Sequence, residues 1–241
     1  MSLDWAHQVF QQNDPQFFRF LEKFLLNKPC LPVAPLSPSF SITLDLTIRD
    51  LFSLFREEQI GNRAMMGVLG MFAGCYGQSK ETLFMPPPFS PFEREWSEGR
   101  ELLEKARLMF VVVHLEQRWG VARFDLSLKV ISYGDPLGDP APALQIQEVI
   151  NWLDPSPKEL ANWRRAMASI SVFPVPQRNS PGSREVGALM AIERSCNPYV
   201  MWESYESPLY HRIRFLKVLT TYTEVIIDLH LSRRFPFFDP S

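Results

Sequence analysis

Residues 109–138, MFVVVHLEQRWGVARFDLSLKVISYGDPLG, decide the architecture. Within them Met109–Leu115, Trp119–Asp125 and Lys129–Tyr133 are short runs of β-branched and aromatic residues, each long enough for one pass across a sheet. Only tight turns separate them, and connections that short join antiparallel neighbours, because a parallel return needs a crossover of many residues. The stretch therefore reads as a three-stranded meander, ended by the turn Gly134-Asp135-Pro136-Leu137-Gly138.

Outside the meander the apolar period becomes helical. Helices are expected over Pro142–Leu153 and Pro157–Ala168, the second with Ser156 as N-cap, Pro157 at the first helical position and Glu159 at the third. A fourth strand, Ile170–Val175, runs into the loop Pro176-Gln177-Arg178-Asn179-Ser180, which opens onto an apolar helix over Glu185–Arg194. Leu209–Leu231 continues as a helical or helix-strand segment. Upstream, Thr47 caps a helix carrying Ile48, Leu51, Phe52, Leu54 and Phe55, and Gly61–Ala73 forms a second, apolar helix. Met85–Pro91 is a proline-broken loop, and Phe92–Leu108 an amphipathic helix whose Glu and Arg residues make a solvated face. Two short helices, Leu3–Gln12 and Pro15–Leu26, begin the chain. Prolines at 29, 32, 35 and 38 then favour extended, polyproline-like chain. These elements predict an α+β fold, a small central mostly antiparallel sheet flanked by helices, over residues 41–241, with 1–40 as a helical extension and proline-rich linker.

A chain of 241 residues buries a sizeable core without disulfides or metal. Lys+Arg 25 against Asp+Glu 27 gives a net charge of −2, so no global basic field draws in a phosphate backbone, and no nucleic acid is indicated. The longest apolar stretch, Met65–Gly74, falls well short of the roughly 18 residues a membrane span needs. The start, Met-Ser-Leu-Asp-Trp, lacks the pattern of a signal peptide. Three cysteines, Cys30, Cys75 and Cys196, make neither a disulfide framework nor a CxxC metal motif, and Cys75 and Cys196 read as small buried hydrophobes. The expectation is an intracellular protein of cytoplasm or nucleus, with no membrane, cofactor or metal.

The order of four elements is more specific than any of them singly. One strand enters Arg118-Trp119, and the next ends in Tyr133-Gly134-Asp135-Pro136-Leu137-Gly138. A third enters Gln177-Arg178-Asn179-Ser180, whose loop opens directly onto a helix. Over roughly Leu44–Thr221 this resembles the catalytic domain of the ubiquitin-like-protein-specific cysteine proteases, the SUMO protease family, especially its divergent fungal members. The resemblance implies a papain-like fold. It also implies a His-Trp pair on the first strand, an orienting Asp in a Tyr-x-Asp-Ser-Leu-like turn, and a Gln-x-Asp/Asn-Ser segment ahead of Cys-Gly at the helix start.

In such a site an imidazole takes the thiol proton, a carboxylate orients the imidazole, and a Gln amide stabilises the oxyanion. Carried over residue by residue, Asp135 and Gln177 retain the orienting carboxylate and the amide. Arg118 stands where the family has its histidine, and a guanidinium cannot act as a base near neutral pH. Counting six residues from Gln177 places Ser183 at the nucleophile. Counting back from Ala188-Leu189-Met190-Ala191-Ile192-Glu193 places Arg184 there instead, with Glu185 in the position of the family's glycine. Neither register gives cysteine.

The family holds the slim Gly-Gly tail of its substrate between two tryptophans. Trp119, otherwise a core aromatic, is the candidate for one, and no tryptophan lies between Trp5 and Trp96 to supply the other. His114 as a displaced base ranks below an ordinary packed histidine, and His7, His211 and His230 have no cysteine or carboxylate motif beside them. The first reading is thus a pseudoprotease, a non-catalytic module binding a ubiquitin-like protein or another protein. The alternatives are an active cysteine-type peptidase removing ubiquitin-like modifiers, and an unrelated interaction protein. In the first reading Arg118 reaches Asp135 and forms a bidentate ion pair in the vacated site.

Overall fold

The computed structural model describes residues 30–33, 44–47, 50, 54, 60–77, 81–85, 102–115, 118–177, 181–199 and 211–219; at 30–33, 44, 45, 47, 77, 118 and 181–183 it describes the backbone alone. The meander forms as the sequence indicates. Strands β4 (Leu108–Leu115), β5 (Arg118–Asp125) and β6 (Val130–Gly134) are antiparallel neighbours, with Val111 opposite Ala122, Phe124 opposite Ile131 and Val121 opposite Gly134. Two further strands extend the sheet in parallel: β3 (Thr82–Met85) beside β4, and β7 (Ser171–Val172) beside β6. The strand order is β3-β4-β5-β6-β7. A separate antiparallel pair joins β1 (Cys30–Val33) to β2 (Leu44–Thr47), so this part of the proline-rich stretch is paired strand rather than free polyproline-like chain.

Helices cover both faces, which is why Met109–Val113 of β4 are buried without alternation. On one face Phe84 stacks on Phe110, and Phe72 of α1 (Asn62–Phe72) packs against Phe84 and, edge-on, against Phe215 of α5 (211–219). Strand alternation points Phe124 to the opposite face, where it meets Trp163 edge-on. Trp163 belongs to α3 (Pro157–Ala168), which follows α2 (Ala143–Trp152). The expected capping box starts α3: the Glu159 N–H donates to Ser156 Oγ, and the Ser156 N–H to the Glu159 carboxylate. The last long described helix, α4 (Pro181–Cys196), lies against β5 and is buried from Glu185 to Glu193.

Several expectations change. The helix expected over Phe92–Leu108 does not reach Leu108: residues 102–107 are tight turns, Lys105 and Ala106 donating to carbonyls three residues back, and Leu108 already belongs to β4. Only Ser171–Val172 of the expected strand Ile170–Val175 pairs, because Pro174 and Pro176 lack the N–H a ladder needs. Helix α4 begins four residues before Glu185, with Pro181 in its first turn. Cys75 is exposed on a π-helical turn, Ala73–Gly77, that continues α1, whereas Cys196 is buried as expected. The helices expected over Leu3–Gln12, Pro15–Leu26 and most of 48–55, and the part of Leu209–Leu231 beyond 219, lie outside the described residues.

Candidate functional site

Asp135 follows the last residue of β6 and is 4 % exposed. Its turn fixes it. The Leu137 N–H donates to Oδ1 at 2.7 Å, closing an Asx turn, and the Gly138 N–H donates to the Asp135 carbonyl at 2.9 Å, with Gly138 in the left-handed region at φ 79°. The Tyr133 hydroxyl, lying over Gly120 of β5, donates to Oδ2 at 3.3 Å. Gln177, beyond β7, turns its amide toward the same turn: Nε2 lies 3.5 Å from the Asp135 carbonyl, a long hydrogen bond, with the side chain against Gly138. The fold thus brings Asp135 and Gln177 together.

Close backbone approach at two glycines makes this possible. Gly134 lies against the Phe173 carbonyl and the Val175 side chain, and Gly187 of α4 sits 3.1 Å, measured from where its Cβ would stand, from the Pro176 carbonyl and near Pro136. A methyl group on Gly134 would overlap backbone, which cannot yield as a flexible side chain can. Gly134→Ala is therefore expected to lower stability by about 2 kcal/mol in urea denaturation. An unchanged midpoint would show that the chain after β7 does not press on β6.

Arg118 opens β5, two residues before Gly120, and Ser183 lies in the first turn of α4; both side chains fall outside the described residues, as do Arg178, Asn179 and Ser180. The expected pair between Arg118 and Asp135 falls there too. Arg184 is half-buried. Trp119 is fully buried: its indole N–H donates to the Ile60 carbonyl at 3.2 Å, and its ring packs on His114 with centroids 4.5 Å apart. His114 pairs across the strands with Trp119, whereas Tyr133, the hydrogen-bond donor to Asp135, pairs with Ala122. Alternation puts these two pairs on opposite faces, so the His114 imidazole does not approach Asp135. Partial burial holds its pKa below the ordinary histidine value.

The start of α4 carries a feature visible in the sequence only as a glutamate in the position of the family's glycine. Glu185 is fully buried, and its carboxylate lies 3.7 Å from the guanidinium of Arg212 on α5, itself 2 % exposed. Among the described residues neither Glu185 oxygen has a hydrogen-bond partner. Burial raises its pKa to about 7, against the lowering effect of its own backbone N–H and of Arg212 and Arg184. Cys75 and Cys196 both lie toward the other end of α4. Cys196 ends the helix, about 20 Å from Ser183 at 1.5 Å per residue. Cys75 feels the charge of Glu193, which with burial pushes its thiol above the usual value. Glu193 is itself held by a two-pronged ion pair with Arg214.

The sequence matches no protein-family model and no curated protein. The structure has clear likenesses among solved structures. The SUMO protease Ulp1 with its catalytic cysteine oxidised to a sulfenic acid superposes with a TM-score of 0.58 at 16 % identity, over 85 % of this chain and 94 % of that one. The C-terminal Ulp1 protease domain in complex with Smt3, the yeast orthologue of SUMO, gives 0.57 at 15 % identity, over 85 % and 93 %. The Ulp1-like SUMO protease catalytic domain of Chaetomium thermophilum gives 0.55 at 13 %, over 92 % and 90 %. The five-stranded mixed sheet with helices on both faces is the Ulp1 protease fold, as the order of motifs led one to expect.

Proposed function

We propose that this chain is a non-catalytic relative of the SUMO-type proteases, acting inside the cell as a binding module for a ubiquitin-like protein. The observation that carries the proposal is the start of α4. The two registers put Ser183 or Arg184 at the nucleophile and neither is a thiol, while Glu185 beside them buries its carboxylate against Arg212. Arg118 in place of a histidine, the remoteness of Cys75 and Cys196, and the raised pKa of Cys75 support it further. In this reading Asp135 and Gln177 persist because they build the turn that seats β7 and α4. That is a structural service independent of catalysis.

A fully buried Trp119 offers no wall for a slender peptide tail. The modifier is therefore held by its globular surface. Calorimetric titration with a SUMO-type or ubiquitin modifier, intact and lacking its terminal Gly-Gly, tests this. Equal affinity for both forms is expected. Loss of binding on removal of Gly-Gly would mean a working tail groove and favour an active peptidase, and absence of binding to either form would remove the proposed partner class.

A further inference from the structure

At the far end of β6 from Asp135, about 17 Å along the strand, the turn between β5 and β6 and the flank of α3 enclose a trough of about 420 Å³. That size lies within the roughly 300–1,000 Å³ of ligand sites. Its lining cations are Lys129 and Arg165, with Asn162 and Ser169 as polar neighbours, and the carboxylates beside it are already engaged, Glu159 by Lys129 and Asp125 by the Leu128 N–H, which leaves Arg165 as the cation without a carboxylate among these. Its rim is apolar: Leu128 is 73 % exposed and Val130 41 %.

Lys129 is not an ordinary surface lysine. It holds a left-handed backbone, φ 54°, where glycine or asparagine is the usual choice. Its ammonium is fixed 3.3 Å from Glu159 and 5.3 Å from the centre of the Trp163 ring. An ammonium has three donors, so a second acceptor can join Glu159. Arg165 donates to Asn162 Oδ1 at 3.3 Å through one of its five N–H groups. The floor near Ser169 is the C-terminal end of α3, where carbonyl oxygens repel a lone anion and favour N–H donors. A carboxylate, an apolar side chain and backbone N–H groups are found together in a peptide.

We propose that this trough docks an acidic peptide segment of a partner protein, one carboxylate set between Lys129 and Arg165 and the adjoining branched side chain lying on Leu128 and Val130. It is distinct from the Asp135 turn and does not depend on the function proposed for it.

The test is fluorescence anisotropy of the full chain with a labelled peptide, Ser-Asp-Leu-Glu-Val-Ser, and its isostere with Asn and Gln in place of Asp and Glu. The acidic peptide binds about tenfold or more tightly than the isostere, as a charge-assisted hydrogen bond implies. Arg165→Glu and Lys129→Gly, the latter compatible with the left-handed turn, each weaken it by about the same factor. Arg164→Glu makes the same charge change on an exposed α3 residue outside the trough and leaves affinity within about twofold. Equal binding of the two peptides, no binding of either, an Arg164→Glu effect as large as that of Arg165→Glu, or complete displacement by inorganic phosphate at the peptide's own concentration would each overturn the proposal. Thermal unfolding of each variant separates lost binding from lost fold.

Discussion

Incubated with ubiquitin or SUMO carrying a C-terminal electrophile, the protein forms no thiol-dependent adduct. Such a reaction needs a thiolate at the groove and an imidazole to generate it. Cys196 is buried at the end of α4 remote from Gln177, and Cys75 is pushed toward the protonated thiol by partial desolvation and by Glu193. Position 118 carries a guanidinium, which keeps its proton. In a serine-protease triad, removing nucleophile or base alone lowers kcat about 10⁶-fold, and on the proposed reading this chain lacks both. Ser183→Cys alone is expected to stay unreactive, because it restores a thiol without a base. Intact-mass spectrometry decides: an adduct on Cys30, Cys75 or Cys196 of the unmodified chain would return the protein to the active peptidases.

The second large effect concerns Glu185. Its pKa rises from 4.5 in the unfolded chain to about 7 in the fold, so the folded state prefers the protonated acid. The stabilisation is fully present below pH 4.5 and is lost as pH rises through 7, where folding must bury a carboxylate. Relative to Glu185→Gln, which does not titrate, the wild type therefore loses up to about 3 kcal/mol between pH 4.5 and pH 8. Comparing the two proteins cancels every other titrating group. Arg212→Ala is expected to destabilise by about 3–5 kcal/mol at pH 8, where it strands an ionised Glu185, and by less at pH 5. Urea denaturation of the three proteins at both pH values measures this. A difference between wild type and Glu185→Gln that is the same at both pH values would mean that Glu185 does not titrate in the interior.

What the sequence disclosed was local, and what it concealed was long-range. The capping box at Ser156 and the meander need only neighbouring residues. β3 owes its existence to a parallel partner 26 positions away, Thr82 with Leu108, and is too short to show a period of its own, whereas β7 is legible as part of Ile170–Val175 but its parallel pairing with β6, Ser132 with Ser171 across 39 positions, is not. The Asp135 and Gln177 positions came from the order of motifs, whereas the Tyr133 hydroxyl over Gly120 depends on a strand register that no short window reveals. The buried ion pair did leave a trace. Glu185 falls in the stripe Glu185, Ala188, Leu189, Ile192, and Arg212 in the stripe Arg212, Phe215, Leu216, Leu219, both at the 0, 3, 4, 7 spacing of a buried helix face. Two opposite charges, each on an apolar stripe, are candidates to meet.

Both outer strands of the described sheet are short and lie next to prolines in the sequence. An open strand edge invites another copy of the chain to pair with it. Here β3 has four residues and runs into Pro86-Pro87-Pro88, while β7 has two and is followed by Pro174 and Pro176. Neither offers a run of free N–H groups long enough to template an added strand, and the apolar β4 lies shielded between its neighbours. Part of the high proline count thus stands where the described sheet would otherwise extend, and a proline there withholds the N–H that an added strand would need.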